Sequence, residues 1–126
     1  MPQHHRTVAN IWKSAVPLNV FIIKHNREIT MTFKRIDPQG YKQLLTTKEV
    51  TLLDVRDPQS FAQGHIDNAL HIEQINVENF VEEQPKEKPL VICCYHGISS
   101  QSAAAFFAEK GFTEVYSLDG GYAGWC

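Results

Sequence analysis

No apolar run near the N-terminus is long enough to cross a membrane: VPLNVFII, residues 16–23, falls far short of the ~20 residues that a spanning helix needs. No small-residue cleavage site follows a proper apolar segment, so neither an export signal nor an anchor is read. Cysteine is also scarce. Cys93, Cys94 and Cys126 form no even disulfide framework, and the two neighbours sit too close in sequence for an unstrained bridge. A reducing, cytoplasmic setting is expected. Positive charge is short where most of the chain lies: residues 31–126 hold 8 basic and 13 acidic side chains, whereas residues 1–30 hold 4 and 1. That balance excludes nucleic acid and an anionic membrane surface as expected partners. Metal-ligand spacing is missing as well, since His4, His5 and His25 have no thiolate or carboxylate beside them at ligand intervals. No metal or organic cofactor is expected.

What is present suits one domain: 126 residues, 43% of them apolar. The charge break near residue 30 precedes the first orderly pattern. Residues 1–30 are therefore expected to be an N-terminal extension, disordered or foreign to a domain spanning 31–126. Within that domain FKRI reads as a strand, and Asp37-Pro38 as an N-cap with proline opening a helix to about Thr46. VTLLDV is a buried-type strand, DPQSF starts a short helix, ALHI is a brief strand and INVENFVEE has helical spacing. LVICC is the most strand-like run in the chain. Ser100 to Lys110 is expected to form a helix with Ala103, Phe106 and Phe107 on one face and Gly111 as its left-handed stop. EVYSL closes the strands, and GGYAGW begins a last helix. Alternating strands and helices with short connections predict an α/β domain with a mainly parallel sheet.

Ligands of such sheets bind beyond the carboxyl ends of the strands. Cys94 stands at such an end. The backbone amides of Tyr95, His96, Gly97, Ile98, Ser99 and Ser100 are able to curl around one point, and the following helix adds its unpaired amides and positive end. A thiolate at that point is an anion in a cradle, with a pKa below the free value of roughly 8.5. Strand alternation turns Cys93 the opposite way, into the packing beneath the sheet. From the loop alone, both cysteines being ordinary strand-end residues stays open.

Three separated segments resemble the rhodanese family of sulfurtransferases: LLDVRDPQSFAQGHIDNALHI, CYHGIS and VYSLDGGYAGW. The resemblance covers residues 33–126 and is nearest to the family's single-domain thiosulfate sulfurtransferases. It implies a five-stranded parallel sheet flanked by helices, and a persulfide carried on Cys94. Its implied substrates are thiosulfate as donor and cyanide or a dithiol, such as a thioredoxin, as acceptor. Asn68 stands where the family usually has glycine, a mild change because asparagine tolerates left-handed angles. Relatives also continue past Trp125-Cys126 through a longer terminal helix, a difference expected to bear on the stability of this end.

Arg56, in the Asp-x-Arg pair, is a candidate for substrate contact or for a structural pairing with a carboxylate or loop carbonyls. His65 reads as a turn residue, His96 as a loop residue able to attract an anion, and Tyr122 and Trp125 as packing residues. Two other functions compete. A cysteine-based phosphatase or arsenate reductase would need an arginine six positions after the cysteine to fork onto two oxyanion oxygens, and Ser100 occupies that place. A non-catalytic binding module on the same fold would commonly lose the nucleophile, which is kept here.

Overall fold

The computed structural model describes residues 33–125. The expectations for residues 1–30, Met31, His4, His5, His25 and Cys126 lie outside them.

Five strands form one sheet: β1 (Lys34–Ile36), β2 (Thr51–Asp54), β3 (Leu70–His71), β4 (Leu90–Cys93) and β5 (Val115–Leu118). Their order is β1-β5-β4-β2-β3, and every pairing is parallel. The α-helices are α1 (Pro38–Leu45), α2 (Pro58–Gln63), α3 (Val77–Glu83) and α4 (Ser99–Glu109).

The proline signals act as expected. Asp37 and Asp57 cap α1 and α2 by accepting from the amides of Gly40 and Ser60, with Pro38 and Pro58 at the first helical positions. The stop of α4 is a Schellman motif: Phe112 N–H donates to the Phe107 carbonyl, and Gly111, at φ +108°, donates to that of Ala108. The rings of Phe107 and Phe112 meet edge to face at 5.8 Å across that turn, sealing it.

Elements differ from the sequence reading mainly at their ends. Helix α3 begins at Val77, capped by Asn76, so Ile75 precedes it. The brief strand stops at His71 and passes into a 3₁₀ turn, Ile72–Gln74. The GGYAGW segment makes one 3₁₀ turn, Tyr122–Gly124, because left-handed Gly120 and Gly121 swing the chain back against the sheet.

Alternation along each strand sorts side chains into two cores. Leu90 and Ile92 join Leu53, Phe80, Phe106 and Phe107 under α3 and α4, while Val91 and Cys93 join Leu52, Tyr41 and Leu118 under α1. Burying a side chain such as Phe107 contributes roughly 1.5–3 kcal/mol, so the clusters hold helices on both faces. After β2 the chain moves outward to β3, and after β4 it moves the other way to β5. The crevice between the ends of β2 and β4 is thus the switch point of the sheet.

Candidate functional site

At that crevice β2 ends in Asp54 and β4 in Cys93, paired in register, with the Val55 amide donating to the Cys93 carbonyl at 2.9 Å. Cys94 is the next residue. Its Sγ accepts from the amides of Gly97 at 3.0 Å and Ser100 at 3.2 Å, and lies 3.3 Å from the Ser100 hydroxyl. Gly97 adopts φ +88°, and a Cβ there would strike the Gly120 amide nitrogen, so only glycine lets the loop turn this tightly. Gln101 Nε2 donates to the Gly97 carbonyl, and α4 begins at Ser99, which brings its first unpaired amides to the sulfur.

The two sulfurs ionise differently. Burial pushes the Cys94 thiol up, but the hydroxyls of Ser100 and Ser99 and the amides of Ser100 and Gly97 outweigh it and hold the pKa below that of an ordinary thiol. Cys93 is fully buried on the other face and has no such donors. Burial first, and the nearby Asp54 carboxylate second, push it up to about 12, so it stays a thiol at neutral pH.

Of the six loop amides expected to converge, those of Gly97 and Ser100 reach Sγ. The amides of His96, Ile98 and Ser99 have no acceptor among the described residues, which leaves unbonded donors in the same loop. Tyr95, His96, Ile98 and Ser99 present exposed side chains, with Ile98 at 74% more open than Tyr95. The Ser100 side chain, buried against Sγ, fills the place where the phosphatase fork would have to stand.

Arg56 has its guanidinium committed elsewhere. Its Nε and Nη2 donate to the Asp54 carboxylate at 2.8–3.1 Å, and Nη2 also donates to the Gly64 carbonyl at 2.7 Å. The group lies 4.1 Å from the centre of the Tyr122 ring and 5.9 Å from that of Tyr95. Arg56 therefore ties the end of β2 to the α2 turn, the C-terminal turn and the cysteine loop. This geometry favours the structural alternative over substrate contact. His65 stacks on Phe61 at 3.7 Å with Nδ1 on the Phe61 carbonyl, a turn residue as expected. Asn68 takes φ +68°, a left-handed angle that asparagine tolerates, as expected. Trp125 packs edge to face on Tyr41 at 5.7 Å.

Several supporting residues escaped the sequence reading. Buried His71 accepts the Glu73 amide on Nδ1, so Nε2 carries the proton that it donates to the Arg56 carbonyl at 2.5 Å. Ser117, buried in β5, lies 2.7 Å from the Ser100 hydroxyl. Its signal was a serine on the apolar face of VYSL, two residues from Val115. Gly121 was signalled only by the paired glycines. It lies against the cysteine loop, where a Cβ would meet the carbonyl carbon and oxygen of Tyr95 at 2.7 Å.

Comparison with known proteins adds four likenesses. Residues 37–126 match the family model described as a rhodanese-like domain. The chain is 50% identical over 94 residues to a Pseudomonas aeruginosa protein named thiosulfate sulfurtransferase GlpE, covering 75% of this chain and 84% of that one. A protein of the same name from Shewanella oneidensis is 44% identical, covering 75% and 93%. Among solved structures, a rhodanese-like domain protein from Staphylococcus aureus superposes with a TM-score of 0.64 at 26% identity, over 75% of this chain and 92% of that one. No helix of the described residues is long and apolar enough to cross a membrane.

Proposed function

This chain belongs to the rhodanese-like family, and from that premise we propose that it is a thiosulfate sulfurtransferase with Cys94 as the sulfur carrier. The observation that carries this reading is a single sulfur, Cys94 Sγ, receiving two amides and lying against a hydroxyl at the start of a helix. The Cys94 thiolate attacks the sulfane sulfur of thiosulfate. An S–S bond forms to Sγ, the bond to the sulfonate sulfur breaks, and sulfite leaves with that electron pair. The acceptor then attacks the outer sulfur, and the pair of the broken S–S bond returns to Sγ. Cyanide leaves as thiocyanate; a dithiol such as that of a thioredoxin first takes the sulfur as its own persulfide.

The cradle is suited to both halves. Donors placed before the reaction stabilise Sγ as a nucleophile in the first step and as a leaving group in the second, without reorganising. The amides of His96, Ile98 and Ser99, which bond no acceptor among the described residues, would be available to donate to an incoming oxyanion, with exposed His96 as a recognition group beside them. Arg56 acts through the loop, by holding Asp54 and Tyr122, rather than by touching substrate. Residues 31–126 make the sulfurtransferase domain, and a reducing cytoplasmic compartment matches a catalytic thiol that must be kept reduced.

Incubating the reduced protein with thiosulfate and then cyanide, and assaying thiocyanate, tests the assignment. Turnover that vanishes in Cys94→Ser supports it. A folded wild-type protein that releases no thiocyanate would favour a binding module instead.

A further inference from the structure

The hydroxyl of Ser117 lies one contact beyond the site. It is fully buried on β5, and the partner of its Oγ among the described residues is Ser100 Oγ at 2.7 Å. Ser100 Oγ in turn lies 3.3 Å from Cys94 Sγ. Three buried groups thus stand in a line with two links between them. A thiol at one end brings three protons to two links, so one proton is left without an acceptor in the line. A thiolate brings two protons to two links, and both are used.

We infer that Ser117 is a positioning residue for sulfur transfer: it donates to Ser100 Oγ and so directs the Ser100 proton at Cys94 Sγ. The inference rests on the proposed role of Cys94. Once the Ser117 hydroxyl has donated to Ser100, the proton of Ser100 is left to point along the remaining contact, toward sulfur. The same alignment favours Sγ as the departing thiolate when an acceptor removes the outer sulfur, so both half-reactions draw on it. Rigid support for this direction comes from β5, whose Ser117 is held in the sheet opposite Ile92 of β4 and Arg35 of β1.

The test is the pH dependence of Cys94 alkylation by iodoacetamide, followed by peptide mapping, in folded wild type, Ser117→Ala, Ser100→Ala and the double variant. Ser117→Ala should raise the midpoint by about half a pH unit or more and lower kcat/KM for thiosulfate several-fold near neutral pH. Ser100→Ala should raise it further, and adding Ser117→Ala to Ser100→Ala should change little, because Ser117 acts through Ser100. Ser117→Thr keeps the hydroxyl and should keep the wild-type midpoint. An unchanged midpoint in folded Ser117→Ala overturns the inference, as does a full, additive shift in the double variant or a Ser117→Thr midpoint that matches Ser117→Ala. A Cys94→Ser protein that still makes thiocyanate would instead overturn the role of Cys94. That outcome is separate, because alkylation reports on the sulfur whether or not it turns over.

Discussion

The amide of Tyr122 donates to the carbonyl of Cys94 at 2.8 Å, and Ala123 repeats the contact on Tyr95 at 2.9 Å. The C-terminal turn is therefore a main-chain brace under the cysteine loop. Gly121, at φ +57°, permits this approach because no side chain stands between the two backbones.

Gly121→Ala should force the brace and the loop apart. A cost of about 1–3 kcal/mol is expected, from strain at a left-handed position and backbone overlap, together with a fall in thiocyanate formation. Gly124→Ala is the control, since a Cβ there meets nothing within 4 Å. Thermal melting and steady-state assays on both variants check the contrast, and equal losses would mean that the brace is not tight.

Cys94→Ser should fold and carry no sulfur, because a hydroxyl stays protonated where a thiolate formed. Cys93→Ser should keep the rate per folded molecule but lose about 1–3 kcal/mol of stability, its hydroxyl standing in an apolar cluster. Peptide mapping after thiosulfate treatment without reductant should place one added sulfur on Cys94 in wild type and in Cys93→Ser. Sulfur found on residue 93 would reverse the assignment.

Replacing Arg56 with Met leaves the buried Asp54 carboxylate without its partner. Removing one member of such a pair costs about 3–5 kcal/mol, so the urea midpoint should drop sharply. Asp54→Asn with Arg56 intact should also destabilise, while the KM for thiosulfate in the folded fraction stays near the wild-type value. A raised KM with unchanged stability in Arg56→Lys would mean that the guanidinium touches substrate after all.

Two opposite pH trends follow from the paired cysteines. Cys94 has a depressed pKa in the folded state, so its thiolate adds stability above the ordinary thiol pKa and loses it as pH falls through the folded value. Turnover should fall along the same acid limb. Cys93 is raised to about 12 and remains protonated after an unfolded thiol, at roughly 8.5, has ionised. Its contribution is complete below the unfolded value and is lost as pH rises toward 12. Denaturant midpoints of wild type and Cys93→Val between neutral pH and pH ~10 should therefore converge or cross as pH rises. Parallel curves would deny Cys93 this role.

An aryl phosphate should not be turned over under conditions where thiosulfate is. Serine at position 100 cannot supply two parallel charged donors to a phosphoryl group, and its side chain is already engaged with Sγ. Phosphatase activity lost in Cys94→Ser would contradict that reading of the loop.

The fold was legible where local chemistry spoke alone: aspartate before proline for two helix starts, Gly111 for a helix stop, alternation for the opposite faces of Cys93 and Cys94. It was less legible where distant segments decide. Nothing local distinguishes one turn of 3₁₀ at Tyr122–Gly124 from the start of a longer helix, because that turn is shaped by the cysteine loop 25 residues or more earlier in the chain. His71 and Ser117 passed unnoticed for the same reason. Each is a polar residue in an apolar strand position whose partner, Arg56 or Ser100, comes from another element.

The pairing of β1 with β5, residue 34 beside residue 116, also sets an order of events. A chain synthesised from its N-terminus presents β1, β2 and β4 long before β5 exists to join β1 to the rest, and closing so long a loop is slow. Cys94 emerges in that interval without the brace of Tyr122 and Ala123 or the hydroxyl of Ser117. Its sulfur then has at most the donors of its own loop, and the support from β5 and the C-terminal turn comes only when the last strand docks. The nascent protein thus carries its nucleophile on a loop that stays unbraced until the fold is complete.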